Sequence, residues 1–409
     1  MSTPAILFRP TRGVTLTGLE QVHDRSVRRR VGVVWGLLVL DAIGYAGLLL
    51  HVPSAVGKTI TQGALLVALL LALTINRRVV VRPNVFLCLV SLLALEAVVT
   101  ILPPEHLGTV YRTFRLIGFV AVLWLLTPWW GRRDMLLVRS HLASLAVILG
   151  SVLLGVLVAP GHALAHHRLQ GALWKIPPTQ VAHYAAVTFG VVVVLWICGQ
   201  LRGRVTLAIA AATGAILIAT HTRTALAALI AGLVVAGLSL IAVTTRVRRV
   251  FAVAATVTAI AIITLSSFLV TWIVRGEGGH ELTDLTGRTA VWGPLLVFPR
   301  DTFQQIFGFG LSNDSFNGLA IDSNWLASYQ AQGLFGVILC SAILVFLLVA
   351  ACRHPRGVRR ALALFLVTYC LVASFTEVGF TNASPYLLEL TLAASLLVPP
   401  PRTAPHDIE

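Results

Sequence analysis

The chain has 409 residues, of which 57% are hydrophobic and only 11% charged, and its formal net charge is +15. A soluble domain carries about 25% charged residues, so a soluble fold is excluded and the bilayer must act as solvent. The positive charge does not point to nucleic acid, because the arginines lie in short clusters between apolar runs, which is the pattern of topology signals.

The five cysteines, Cys88, Cys198, Cys340, Cys352 and Cys370, fall in or beside apolar segments with no CxxC pair. They read as small core residues rather than a disulfide framework or a metal site. The arginine-bearing N-terminal stretch is no secretion signal, and no small-residue cleavage site follows the first apolar run.

A span needs about 20 apolar residues. In chain order the apolar runs fall near 31–50, 59–75, 84–102, 114–128, 135–158, 179–198, 205–220, 223–245, 250–274, 327–351, 360–379 and 384–399. They predict an all-α polytopic membrane protein of about twelve transmembrane helices, a single transmembrane domain over 31–399 between tails at 1–30 and 400–409. The second and fourth runs are short and read as tilted neighbours or partial spans. Most of the 31 lysines and arginines fall on the side of the two tails, among them Arg77, Arg78, Arg82, Arg132, Arg202, Arg204, Arg248, Arg353 and Arg356. The positive-inside rule then puts both termini in the cytoplasm. The other side holds Glu105, Glu277, Glu281, Asp284, Asp301, Asp314, Asp322 and Glu377, so chemistry is expected on the outer face.

The longest external connection, about 276–326, joins spans nine and ten and exceeds a simple link. Its stretches "WGPLLVF" and "FQQIFGFGL" are apolar enough to lie on or dip into the membrane surface, with Gly308 and Gly310 supplying tight turns.

Four external stretches carry residues suited to chemistry. In "HTRTALAALIAGL", at 221–233, spans seven and eight are joined by a hairpin whose tip is Thr220, His221 and Thr222. Arg223 beside it is costly near a span; it either snorkels to headgroups or holds an anion in a cavity. Arg168 and Lys175 stand in "HHRLQGALWKIPPTQVAHYA", closed by Pro177 and Pro178 at the next helix start. Arg168 is either a plain loop charge or a second anion contact. His162, His166 and His167 include an i, i+4 pair that suits a metal, but no third ligand stands close and no metal is expected. Arg288, in "LTGRTAVW", enters a helix whose start favours anions. In "AIDSNWLASYQAQGLFGVIL", Asp322 or Ser323 caps the tenth span, or Asp322 accepts a proton. Arginine grips phosphate oxygens in a planar fork and keeps its charge. Three external arginines therefore suit a lipid-linked diphosphate, whose departure needs preorganised positive charge. The attacking hydroxyl needs a base within hydrogen-bond reach. No cofactor is called for.

These stretches resemble the O-antigen ligase and O-antigen polymerase family of bacterial membrane glycosyltransferases. "RLQGALWKIPPTQVAHYAA" is similar to the family's Arg-x-x-Gly loop and proline-containing helix start. "ATHTRTALAALIAGL" is similar to its Ser/Thr-Arg-x-Ala hairpin, "LTGRTAVWGPLL…IFGFGL" to its Ser/Thr-Gly-Arg…Trp…Gly-x-Gly segment, and "DSNWLASYQAQGLFGVIL" to its His/Asp-Asn-x-Tyr-Leu…Gly-Leu-x-Gly segment. The match covers about 160–350, with the four motifs in order. It implies a GT-C-like enzyme of the bacterial cytoplasmic membrane that moves a glycan from a polyprenyl-diphosphate carrier to an acceptor glycan or lipid, without a metal, among envelope-assembly partners that the sequence does not name. Arg168, Arg223 and Arg288 would bind the diphosphate, the last two as catalytic groups. Asp322 stands where the ligases carry a histidine that activates the acceptor, and Ser323 or Asn324 stands where they carry asparagine. Lys175, His221 and Glu377 complete the implied substrate surface.

A twelve-span transporter or flippase of an anionic or lipid-linked substrate is the alternative. Against it, "NRRVVVRPN" after the second span lacks the Gly-x-x-x-Asp-Arg signature of major-facilitator transporters. A transferase with a monophosphate lipid donor is a further alternative; the acid it usually carries in the first external loop is missing from "HVPSAVGKT". Asp41 and Glu96 are the acids inside early spans, too few for a proton relay, and Asp41 reads as a hydrogen-bond partner for a neighbouring helix.

Overall fold

The computed structural model describes residues 18–43, 54–101, 107–132, 135–241, 289–311 and 314–399, with isolated positions at 249, 253 and 256. The ninth expected span, Arg288, residues 276–288 of the long connection and the residues beyond 399 lie outside the described residues.

The protein is an all-α membrane protein. Its helices are α1 (Gly18–Ile43), α2 (Ser54–Ile75), α3 (Val85–Val99), α4 (Leu107–Leu126), α5 (Leu136–Val158), the one-turn α6 (Pro160–Ala163), α7 (Pro178–Ile197), α8 (Gly203–Ala219), α9 (Arg223–Leu240), the short α10 (Thr289–Val297) and α11 (Thr302–Phe307), then α12 (Asn324–Arg353), α13 (Val358–Ala373) and α14 (Pro385–Leu397). Among the described residues, five stretches are long and apolar enough to cross a bilayer: Gly108–Trp129, Leu136–Val158, Pro178–Ile197, Arg223–Leu240 and Asn324–Arg353.

Helix starts follow local chemistry. The side chain of Asn84 accepts from the N–H groups of Phe86 and Leu87 at 2.9 and 3.4 Å, and Ser384 accepts from Leu387 N–H at 3.2 Å ahead of Pro385. Each satisfies backbone donors that a first turn leaves without intrahelical partners. Asp301 and Gln304 cap α11 reciprocally, at 2.7 and 3.2 Å.

Three boundaries differ from the sequence reading. The helix of the first span already begins at Gly18, inside the expected tail. The second helix begins at Ser54, although its apolar part, Thr59–Ile75, is short as expected, whereas the fourth span is not short: α4 has 20 residues. The fourth was misjudged because Arg112 and Arg115 look like loop charges. They lie inside α4, where Arg115 Nε donates to both carboxylate oxygens of Asp41 on α1, at 3.0 and 3.2 Å. The pair is an interhelical tie of the kind expected for Asp41.

α7, α13 and α14 form a buried centre. Phe365 of α13 wedges between α7 and α9, and a Cβ built on Gly190 or Gly232 would come within 1.9 or 2.8 Å of its ring. The outer helices turn large apolar side chains outward, such as Val147 at 73% and Leu157 at 81% exposure, as a lipid-facing surface requires. One end of the bundle gathers basic loops: Arg82 N–H donates to Thr127 Oγ1 at 3.0 Å, and Arg359 Nη2 to the Arg132 carbonyl at 2.6 Å. The opposite end carries the connections that build the site.

The described part of the long connection packs against α12. After α11, Gly308 and Gly310 adopt the expected left-handed φ of 74° and 89°. They let Phe309 and Gly310 N–H donate to the carbonyls of Gln330 and Ala331 at 2.9 and 2.8 Å. Those carbonyls border a break in α12 at Gly333, whose φ is 60°. Arg300 Nη1 donates to the Tyr329 carbonyl at 3.2 Å, and its guanidinium sits 4.2 Å from that ring's centre. A two-stranded hairpin, β1 (Ser315–Phe316) and β2 (Leu319–Ala320), then leads to α12. Asn317 and Gly318 turn it with φ of 50° and 81°, the combination a type I′ turn demands.

Candidate functional site

The site is assembled around the α8–α9 hairpin. α8 ends at Ala219, His221 takes a left-handed φ of 51°, and α9 begins at Arg223. The 168–177 connection docks on this tip. Arg168 Nε donates to the Thr220 carbonyl at 3.0 Å, its Nη2 to Thr222 Oγ1 at 3.3 Å, and Leu169 N–H to the Ala219 carbonyl at 2.9 Å. Thr220 and Thr222 are buried, whereas Arg168, His221 and Arg223 are half-buried. Arg168 thus docks on Thr222, the residue before Arg223. His167, just before Arg168, is also left-handed, with φ of 55°. Such conformations are uncommon for non-glycine residues and cost energy that tertiary contacts must offset.

A second element, the 374–384 loop between α13 and α14, ties four regions together. Thr376 Oγ1 donates to Thr224 Oγ1 at 2.8 Å, one residue past Arg223. The Gly379 and Phe380 N–H groups donate to Asn324 Oδ1 at 3.2 and 2.9 Å. Asn382 Nδ2 donates to the Asp314 carboxylate at 3.1 and 3.4 Å. The Ala383 carbonyl accepts from Arg115 Nη2 at 3.0 Å.

The remaining expected residues separate. Asn324 is fully buried, with its carbonyl oxygen committed to this loop. Ser323 occupies the N-cap of α12, but its side chain makes no capping bond. The expected cap is replaced by a tertiary contact, in which Asn324 N–H donates to the Ser374 carbonyl at 2.9 Å. Asp322 is exposed at the surface, as is Lys175. Glu377 is half-buried on the loop, and its field reaches Tyr369 and Tyr386. Arg288 lies outside the described residues.

No protein-family model matches the chain, and a search of curated proteins finds no match. The resemblance to O-antigen ligases and polymerases stands on the four sequence motifs alone.

Two groupings escape the sequence reading. Asp314 is one: burial raises its carboxyl to about 6, against the opposing pull of Arg112 and the Asn382 hydrogen bond. The other lies within the helices. His183 Nε2 is 2.7 Å from Glu389 Oε1, although the ring N–H is not well aligned on it. His141 Nε2 stands 3.9 Å from the same oxygen. Tyr369 hydroxyl lies 3.2 Å from His183 Nδ1, Trp35 Nε1 donates to His141 Nδ1 at 3.3 Å, and Cys370 Sγ donates to Glu389 Oε2 at 3.7 Å. The ring of Tyr386 touches both regions: it is centred 4.1 Å from that of His183, and a Cβ built on Gly379 of the loop would lie 3.1 Å from it. Its signal was one acid and two histidines inside apolar runs, a functional pointer in a membrane protein.

Proposed function

We propose that the chain is a membrane glycosyltransferase of the O-antigen ligase and polymerase kind, with about twelve spans, a GT-C-like frame and both termini in the cytoplasm. Its site would face outward from the bacterial cytoplasmic membrane. There the arginines bind the diphosphate of a polyprenyl-linked glycan, and the glycan passes to an acceptor glycan or lipid. The observation that supports this most is the docking of Arg168 on Thr220 and Thr222, immediately before Arg223. It joins two motifs that lie 55 positions apart on one half-buried surface. A guanidinium held by backbone and hydroxyl contacts, as that of Arg168 is, stabilises a leaving diphosphate without reorganising as charge develops. Asp322 stands at the motif position of the acceptor-activating group but is exposed at the surface.

The test is incubation of the purified protein with a polyprenyl-diphosphate glycan and an acceptor, without added metal, followed by mass analysis. Arg223→Ala and Arg288→Ala are expected to lower transfer by about 100-fold or more with unchanged expression and topology. Full activity in both variants would sink the reading.

A second reading, proton-coupled movement of a lipid-linked anion, is favoured by the buried His183–Glu389 pair. Ionisable groups at such depth often mark proton pathways. Reconstituted vesicles separate the two: transport moves the intact donor across the bilayer, whereas transfer leaves a free polyprenyl diphosphate.

A further inference from the structure

We infer that Asp314 is the group that takes the proton from the acceptor hydroxyl. The inference rests on the transferase reading. One loop contacts both neighbourhoods: Thr376 reaches Thr224, the residue after Arg223, and Asn382 reaches the Asp314 carboxylate. On this reading the anomeric carbon of a donor gripped at Arg223 sits over the 374–384 loop, within reach of Asp314. Asp322 differs, being exposed at the surface just ahead of Ser323.

Asp314 is mounted at the base of the β1–β2 hairpin. Its carbonyl accepts from Ile321 N–H at 2.8 Å, across the base of the β1–β2 hairpin. Phe316, the second residue of β1, is buried with its ring centred 5.5 Å from that of Phe298. Asp314 itself has a left-handed φ of 53°. Aspartate tolerates this region better than most residues, and strained positions of this kind cluster at working sites.

Its chemistry suits a base. One amide touches both carboxylate oxygens, and a carboxylate has about four acceptor sites, so acceptor capacity remains for a hydroxyl. Asp314 is half-buried rather than sealed, which permits that approach. The charged group that acts on it is Arg112 of α4; Arg115, further along that helix, is paired with Asp41. Burial brings the carboxyl to about 6, close to neutrality, where a general base works best. The step balances. The acceptor O–H breaks and its proton passes to Asp314. The oxygen bonds to the anomeric carbon, and the carbon–oxygen bond to the diphosphate breaks with its electron pair on the diphosphate. Asp314 then returns the proton to water.

The test is the pH–rate profile of transfer from a polyprenyl-diphosphate glycan. Wild type is expected to lose kcat as pH falls through about 6. Asp314→Asn is expected to lose about 100-fold or more in kcat, with donor KM unchanged and that acid limb gone. Asp322→Asn should keep the limb, whatever its rate. If Asp314→Asn fails to fold, Asn382→Leu decides: losing a hydrogen bond to the charged form should move the limb to higher pH. Asp314→Asn within threefold of wild type, or Asn382→Leu with an unmoved limb, overturns the assignment. A wild-type protein that transfers nothing overturns the transferase reading itself, and the assignment with it.

Discussion

Two polar regions stand on either side of Tyr386, and they are built in opposite ways. The 374–384 loop is held by separate hydrogen bonds to α9, α12, Asp314 and Arg115, and its surroundings are partly exposed. The His141, His183 and Glu389 side chains are at most 2% exposed, closed in by Trp35, Tyr184, Tyr369 and Tyr386. A charge in the first region can exchange one partner for water or ligand. A charge in the second has only other side chains to stabilise it, because removing it from water unpaired is prohibitive. The loop region is thus suited to binding. The buried set fixes how α5, α7, α13 and α14 meet, and it changes only if its protons or its helices move.

The contrast is most exposed to failure at the buried pair. His183→Leu removes the group 2.7 Å from Glu389 and leaves its nearest imidazole at 3.9 Å. Stripping one partner costs about 3–5 kcal/mol where a buried pair is charged and about 1–3 kcal/mol where it is a neutral hydrogen-bonded pair, so the fall in the unfolding midpoint of the solubilised protein reads which it is. Glu389→Gln keeps the shape and a carbonyl acceptor, and should cost less, about 1–2 kcal/mol. Equal losses from the two variants would show that no charge is held there, and the two regions would cease to differ in kind.

A smaller effect is expected at Asn324, where the loop meets α12. Asn324→Ala leaves the N–H groups of Gly379 and Phe380 without their acceptor, at a cost of about 2 kcal/mol. The loss should be local. Hydrogen exchange would quicken at those two amides while α7 and α14 stay protected. Faster exchange throughout α14 would mean that loop and buried set unfold as one unit.

Asn324 also marks where sequence reasoning stops. Its motif context pointed to substrate, yet its side chain is spent on backbone groups more than 50 positions away. Apolar runs were readable as helices because bilayer thickness sets their length, and the short 219–223 connection was readable because two spans had to turn within it. The meeting of His141, His183 and Glu389 was not readable, since it depends on how helices more than 200 positions apart pack. Arg115 misled for a related reason: only its partner on α1 explains a cation inside α4. The β1–β2 hairpin is a different kind of miss. Asn317–Gly318 is a strong local turn signal that went unread within a long connection.

That turn provides the finest test of the loop region. Gly318 has a φ of 81° and nothing within 4 Å of a built Cβ, so Gly318→Ala strains the backbone without a clash. An L-residue forced into the left-handed region costs about 1–2 kcal/mol, and space around the methyl group leaves no second penalty. The hairpin should loosen while the helices stay intact, with little change in overall stability. Asp314 would then gain water. Burial is what raises its carboxyl, so the acid limb of transfer should move down from about 6 towards the ordinary carboxylate range. Asn382→Leu moves the same limb upward. Opposite shifts from two substitutions that never touch the arginines would locate the titrating group at Asp314. A limb that ignores both would place the titrating group elsewhere.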